Sequence, residues 1–324
     1  MRCLFFLILF FFSGAVLTSQ EDVFEQQSEK HIQKYNIKNR VKWNHAYADG
    51  SPKEKGYKNE FVKYDENGHV SEVISYKSNG DMFSMESYKY DQNGYNSGYV
   101  RYDAKRDKIT YKKAYKYDDE GNKLKEVGFD GASNYKNIYK YNGQGQLQKI
   151  IYNVSDQLFQ ERIFEYKDPR HRILKVYDAD GAFQFKMEQA FDKNNNLIEN
   201  IEYLPGKDSK VKEKLIYEYN DRNQKLFEKK YNGTDLAYHK KYKYNNGLLV
   251  EVMKTEPGED EFAIARYEYD NSGRLKNEYY RKRSSQDFSS KAYSYNEKGL
   301  CTAVDCFYAS YNYKVLFKYT YEFY

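Results

Sequence analysis

Asp65, Asp91, Asp118 and Asp270 each follow a tyrosine, and each stands three residues before a glycine. Carboxylates that recur in this way suit two kinds of chemistry: acid–base work between neighbouring copies, or a ladder of calcium sites. They equally suit a tight turn, in which the side chain accepts hydrogen bonds from its own backbone and the glycine adopts positive φ. Substitution decides between these. Asn142, Asn220, Asn245 and Asn296 fill the same slot, and Lys167 fills it once more. A turn cap tolerates Asn for Asp, whereas a catalytic acid does not, so the turn cap is the expected role.

The other reactive side chains are scattered. His31, His45, His69, His171 and His239 show no metal-ligand spacing, and the chain has no Cys-x-x-Cys. His69 and His171 fall in or beside expected turns. Gly143-Gln-Gly145 is too short for a dinucleotide fingerprint and lies in a turn slot. There is no Gly-x-Ser-x-Gly elbow and no P-loop. The expectation is a non-enzyme with no catalytic residue, no cofactor and no metal. Asn153-Val-Ser155 and Asn232-Gly-Thr234 match the glycosylation pattern, which matters only in a host with that machinery.

The elements that carry these residues repeat. Tyr88-Lys-Tyr90-Asp91-Gln-Asn-Gly94 returns as Tyr115-Lys-Tyr117-Asp118-Asp-Glu-Gly121, as Tyr139-Lys-Tyr141-Asn142-Gly-Gln-Gly145 and as Tyr267-Glu-Tyr269-Asp270-Asn-Ser-Gly273. With the aromatic before Asp or Asn as anchor, the series is Tyr35, Tyr64, Tyr90, Tyr117, Tyr141, Tyr166, Phe191, Tyr219, Tyr244, Tyr269 and Tyr295, at spacings of 24 to 29 residues. Tyr321 is a last, incomplete copy. A second aromatic column, including Tyr76, Tyr102, Phe129, Tyr177 and Tyr231, lies 11 or 12 residues after the anchors.

Tyr-x-Tyr has the period of a strand, with both rings on one face and Lys or Glu on the other. Each unit therefore reads as two strands and two turns. The fold class expected is all-β: a repetitive antiparallel β-hairpin meander of about twenty-two strands, forming one long twisted or curled sheet. The repeats should span 35–324, ending in an edge strand at Tyr319-Thr-Tyr321-Glu-Phe-Tyr324. Residues 20–34 lack the pattern and read as a short lead-in, either a short helix or a flexible segment. Only Gly121 in its hairpin should need positive φ, so Gly121→Val should cost more than Lys123→Val.

Composition fits such a sheet. The chain has 324 residues, 38 of them Tyr and 20 Phe, with a single Trp. Mean hydropathy is −1.01, so aromatic rings must supply much of the buried area. The net charge of +5 comes from 53 basic and 48 acidic residues that interleave. The densest basic run, Arg281-Lys282-Arg283, sits in a turn, and no nucleic-acid stripe is expected.

Residues 1–19 read as a signal peptide. Arg2 precedes an apolar run from Cys3 to Phe12, then Ser13, Gly14 and Ala15, with cleavage after Ala15 or Ser19. The run is shorter than the roughly 20 residues of a spanning helix, so no transmembrane helix is expected in the mature chain. Export to the periplasm, the cell surface or the medium follows. Cys301 and Cys306 then remain. In one extended strand they would lie about 16 Å apart on opposite faces, out of disulfide reach.

The Tyr-x-Tyr-Asp-x-x-Gly units resemble the YD repeats of Rhs-type proteins and related exported bacterial repeat proteins, over most of Tyr35 to Tyr324. That resemblance implies a long β-sheet, which in the family spirals into a hollow shell around a toxic C-terminal segment. Here the repeats are fewer than a full shell needs and no self-cleaving core or toxin segment is visible after them, so the sheet architecture is what carries over. The two-turn unit is also similar to MORN-like and glycan-binding hairpin modules, although the latter lean on Trp and this chain has only Trp43.

The function expected is that of a binding or structural component of the cell envelope or surface. An accessory or remnant of an Rhs-like toxin-encapsulating system and a glycan-binding module are the alternatives. A protein or a glycan at the envelope would be the partner, with no nucleic acid. The candidate binding residues are Tyr88, Tyr90, Tyr115, Tyr117, Tyr139 and Tyr141, provided their rings form the surface rather than the core.

Overall fold

The computed structural model describes residues 29–205 and 210–324. The expected signal peptide and residues 20–28 of the lead-in lie outside them. The described part of the lead-in is a short helix, Glu29–Lys34. From Ile37 onward the chain is a meander of strands, each antiparallel to the one before.

The hairpin of Lys108–Tyr117 and Lys123–Phe129 shows how the sequence dictates the turn. Asp118 Oδ1 accepts from the N–H groups of Glu120 (3.1 Å) and Asn122 (2.7 Å). The Gly121 N–H donates to the Asp118 carbonyl at 3.1 Å, and Gly121 has φ +83°. This is a type I turn closed by a left-handed residue, the three-residue hairpin loop. Asp91, Asn142 and Asp270 cap their loops in the same way. Where the sequence lacks the glycine, Asn195 and Asn223 take the left-handed place.

Each such turn carries a bulge. The register slips between Lys89 and Tyr90, Lys116 and Tyr117, Glu218 and Tyr219, and Ser294 and Tyr295. A second set of slips falls at the other end of the hairpins, at Tyr76, Tyr102, Tyr177 and Tyr231. Bulges bend a strand and raise its twist, and repeated bulges are what curve a sheet toward closure.

The sheet does close, which corrects the expectation of an open curled sheet. The first strand, Ile37–Ala48, pairs on one side with Tyr57–Tyr64 and on the other with the last strand, Tyr313–Phe323. Arg40 faces Tyr321 and Trp43 faces Lys318 across this seam. The result is a 22-stranded antiparallel barrel, to which the two-residue Ser51–Pro52 strand adds a small flap beside Ala48. The C-terminal segment is therefore a seam strand with partners on both sides, since it also pairs with Cys301–Tyr308. Periodicity alone gave the strand count, but the curvature came from one extra residue per turn.

Contacts run between consecutive strands around the wall, and the wall has no single central core. Two apolar clusters lie on the seam. One joins Leu275, Tyr293, Cys301, Val304, Cys306, Val315 and Tyr319. The other joins Ile32 of the helix to Ile37, Val62, Tyr64 and Leu300. Cys301 and Cys306 are both free and buried in the first cluster. The bulge opposite Tyr295 turns Cys301 onto the face that Cys306 occupies, so the expectation of opposite faces fails there.

Candidate functional site

The anchor tyrosines share one face of the wall. Lys89, Lys116 and Lys140, each between two tyrosines, are exposed on the other. The anchors do more than pack. The hydroxyl of Tyr90 donates to the Val70 carbonyl, Tyr117 to Asn96, Tyr141 to Lys123 and Tyr166 to Leu147. Tyr244, Tyr269, Tyr295 and Tyr321 repeat the bond, and all eight lie between 2.7 and 3.0 Å. In each case the acceptor is the residue that faces the preceding anchor across its bulge, as Asn96 faces Tyr90. A bulge breaks the ladder locally, and the next unit's phenol supplies a donor there. Phe191 has no hydroxyl; the Arg172 guanidinium lies 5.4 Å from its ring instead.

Further along the same face lie buried carboxylates. Glu126 is 2% exposed. It accepts from the hydroxyls of Tyr135 (3.0 Å) and Tyr139 (3.3 Å), with the ammonium groups of Lys113 and Lys123 at 3.7 and 3.6 Å. Glu228 repeats the arrangement with Lys225, Lys240, Tyr238 and Tyr242, all between 2.8 and 3.0 Å. Glu278 accepts from Tyr293 at 3.0 Å. Burial pushes the Tyr139 and Tyr242 phenols up, and the adjacent carboxylates push them further. Burial alone would raise the Glu228 carboxyl, but Lys240 and Lys225 outweigh it and hold the group down at about 2. Each carboxylate lies among lysine ammonium groups and phenols, the partners that a buried carboxylate needs.

One part of this face is hollow. A cavity of about 1020 Å³ opens over the strands Met82–Tyr90, Asn96–Asp103 and Lys108–Tyr117. Tyr88, Tyr99, Tyr111 and Tyr115 line it, with Arg101, Lys113 and Ser84 between them. Tyr88 and Tyr99 sit 5.2 Å apart at 57°, and Tyr99 and Tyr111 sit 5.8 Å apart at 66°. Burial, helped by the Glu86 carboxylate, pushes the Tyr99 phenol up to about 12. Packing explains the space. Six residues before the anchor, the next two units carry Tyr111 and Tyr135, whereas this unit carries only Ser84. Gly128 leaves room for the Tyr135 ring, which a Cβ there would meet at 2.6 Å.

The six tyrosines expected to bind a partner are all half-buried. Tyr88 and Tyr115 line the hollow. Tyr90, Tyr117 and Tyr141 belong to the hydroxyl ladder, and Tyr139 belongs to the Glu126 cluster. Tyr99, Tyr111, Arg101 and Lys113 were not anticipated. The two tyrosines had a periodic signal: Tyr111, like Tyr135 and Tyr238, stands six before an anchor, and Tyr99 stands nine after one, where other units carry Glu126, Glu228 and Glu278; Arg101 and Lys113 fall in neither column. A second, smaller hollow of about 480 Å³ lies by the loops at Arg170 and Asp192, beside Phe191 and Tyr219.

No family profile matches the chain, and no curated protein does. Among solved structures it is similar to a chain of the TcdB2-TccC3-Cdc42 complex, with 11% identity and a TM-score of 0.30 over 82% of this chain; it spans 18% of that chain's length. It is also similar to a porin-like protein from Bacteroides uniformis, with 10% identity and a TM-score of 0.28 over 89% of this chain and 97% of the other. A porin-like protein from Bacteroides vulgatus matches with a TM-score of 0.19 and 11% identity, over 88% of this chain and 98% of the other. At these scores nothing about function rests on the likeness. Among the described residues no helix is long and apolar enough to cross a membrane.

Proposed function

We propose that this chain is a non-enzymatic exported barrel that acts as a binding or structural component of the cell envelope or surface. The observation that carries this reading is the engagement of polar groups on the tyrosine face. Hydroxyls are tied to backbone carbonyls and carboxylates to lysines and phenols, as at Tyr117 and Glu126. Such groups stiffen a wall and are poorly placed to exchange protons with a substrate. The hollow at Tyr88, Tyr99, Tyr111 and Tyr115 is where the wall offers rings and charges to a partner.

The strand number resembles that of large outer-membrane barrels, but the surface supports a barrel bathed in water. A lipid-facing wall needs an apolar band about 25 Å tall. One face here carries exposed lysines such as Lys89, Lys112, Lys116 and Lys140, with ion pairs such as Lys175–Glu165 at 2.8 Å and Lys243–Glu251 at 2.8 Å. The other buries Lys113, Glu126, Lys225 and Glu228. The N-terminal apolar run supports export.

The test is to express the full chain with its leader in a bacterial host, then fractionate and sequence the N-terminus. Cleavage after Ala15 or Ser19, with the product outside the cytoplasm and free of detergent, is expected. A cytoplasmic product with its leader intact, or one that only detergent extracts, overturns the reading. So does hydrolase activity that a single Asp substitution abolishes.

A further inference from the structure

The contents of the larger hollow narrow the class of partner. Two guanidiniums stand at its wall. Arg101 is 50% exposed and lies 3.7 Å from Glu86; Arg106 is 66% exposed and lies 3.8 Å from Asp103. Both distances exceed that of a direct hydrogen bond, so the forked N–H groups keep capacity for a ligand. Lys108 and Lys113 add two ammonium groups to the lining. The two lining carboxylates are anchored by loop backbone: Asp103 Oδ1 accepts the Arg106 N–H at 3.0 Å, and Asp130 Oδ1 accepts those of Ala132 and Ser133 at 2.9 and 2.8 Å. Four cations and two carboxylates line this concave site; Glu86 beside Arg101, which also accepts from Tyr88 at 2.8 Å, and Glu126 beside Lys113 offset two of the four, so Arg106, Lys108 and the open N–H groups of the Arg101 fork are what face an anion.

We propose that this hollow binds an acidic saccharide, a short chain of sugar rings bearing carboxylate or sulfate groups. The inference deepens the binding role proposed above and rests on it. Tyr88, Tyr99 and Tyr111 present rings for the C–H faces of the sugars. Asp103 and Asp130 retain acceptor capacity for sugar hydroxyls, and Arg101 and Arg106 match an anionic substituent in fork geometry. The volume is that of a site for a ligand of this size.

Other anions fit less well. A nucleic acid stacks its bases on ring faces and lays phosphates along a cationic groove; these rings are tilted 57° and 66° to one another, and two carboxylates interrupt the groove. An acidic peptide would gain most by extending an open sheet edge, and the seam between Ile37–Ala48 and Tyr313–Phe323 removes that edge.

The experiment is calorimetric titration of the mature chain at low and physiological salt. The probes are tetragalacturonate, its methyl ester, a heparin-derived tetrasaccharide, hexaglutamate and a decathymidylate. Tetragalacturonate or the heparin fragment should bind at least about tenfold more tightly than the ester, and more weakly as salt rises. Arg101→Gln and Arg106→Gln should each weaken binding about fivefold or more. Lys116→Gln, on the opposite face, should leave it unchanged. Both arginines are half-exposed or more, so these variants should keep the wild-type circular dichroism.

Equal binding of acid and ester removes the charge assignment and leaves saccharide binding in place. Preference for hexaglutamate or decathymidylate overturns the saccharide assignment and leaves a binding protein. If the folded chain binds none of the probes, or binds them with no effect of either arginine variant, the hollow is not the site. The export result above is independent of all these outcomes.

Discussion

The hydroxyl of Tyr117 donates to the carbonyl of Asn96, twenty-one residues earlier in the chain, at 2.9 Å. Asn96 is the residue facing Tyr90 across the bulge of the preceding hairpin. In eight units one phenol thus ties the unit to a weak point in the one before it, and there the wall is stitched as well as laddered. The repeat keeps Tyr rather than Phe at most anchors, although Phe would bury as much ring.

Tyr117→Phe should therefore destabilise the barrel by about 1 kcal/mol, the net worth of one intramolecular hydrogen bond, plus any cost of an orphaned carbonyl. Tyr117→Ala should cost about 3–5 kcal/mol, because the ring goes too. Urea unfolding monitored by far-ultraviolet circular dichroism gives both values. A Phe variant as stable as the parent would mean that water satisfies Asn96 equally well and that the ladder is decorative. Phe191→Tyr is a gain-of-bond counterpart at the one anchor where Arg172 now covers the ring.

Gly121 and Gly145 share a role but not a neighbourhood. Both have positive φ, +83° and +73°. A Cβ on Gly145 meets nothing within 4 Å, whereas one on Gly121 meets the Tyr95 hydroxyl at 2.4 Å. Gly145→Ala should cost about 1 kcal/mol for the left-handed backbone alone, and Gly121→Ala should cost more unless the Tyr95 ring swings aside. Equal melting temperatures would show that the ring moves freely. Lys123 is a poor neutral control, contrary to the expectation from the sequence. The bulge aims it inward, where its ammonium lies 3.6 Å from Glu126 and 4.4 Å from the centre of the Tyr115 ring. The exposed Lys116 serves better.

The buried cluster at Glu228 makes stability depend on pH. Its carboxyl sits at about 2 in the folded chain, against an ordinary 4.5. A carboxyl held low when folded stabilises the fold above its unfolded value, and that contribution fades as pH falls through the folded one. The window is therefore about pH 4.5 down to 2. Glu228→Gln should cost a few kcal/mol at pH 7, since Lys225 and Lys240 lose their counter-charge. The gap from the parent should shrink steadily below pH 4.5, because protonation brings the parent to the same state. Urea midpoints at pH 7, 4.5 and 2.5 measure it. A gap that stays constant across those three values would falsify the assignment of Glu228 as a charged, stabilising group.

Much of this architecture was legible before any coordinates. Tyr-x-Tyr fixed strand and face, and Asp-x-x-Gly fixed the loop down to the bonds that Asp118 makes. Closure was not legible, because strand counting says nothing of the extra residue at Tyr117 or Tyr102 that curves the sheet. The site was half legible. Tyr88 and Tyr115 stood in the visible column, but the hollow exists because Ser84 replaces a tyrosine in a column that only three units fill. Arg101 gave no periodic signal at all, since its importance comes from the space beside it.

The seam should be the most stable part of the wall, although it joins the two ends of the chain. Apolar burial sets which region opens last, and both buried clusters lie here, with Val315 and Ile37 each 1% exposed. The helix adds Ile32, and Tyr324 closes on the Tyr64 carbonyl at 2.7 Å. The single tryptophan, Trp43, bonds Thr320 across the seam at 3.2 Å and so reports on it. By contrast the stretch from Gln157 to Asp178 carries exposed Leu158 and Phe159 and contributes to neither cluster. Hydrogen exchange followed by mass spectrometry should find peptides from 37–48 and 313–323 slower than those from 157–178. Trp43 emission should change only with the main circular dichroism transition. Faster exchange at the seam, or an early tryptophan transition, would mean that the barrel opens where its ends meet and that closure adds little to its stability.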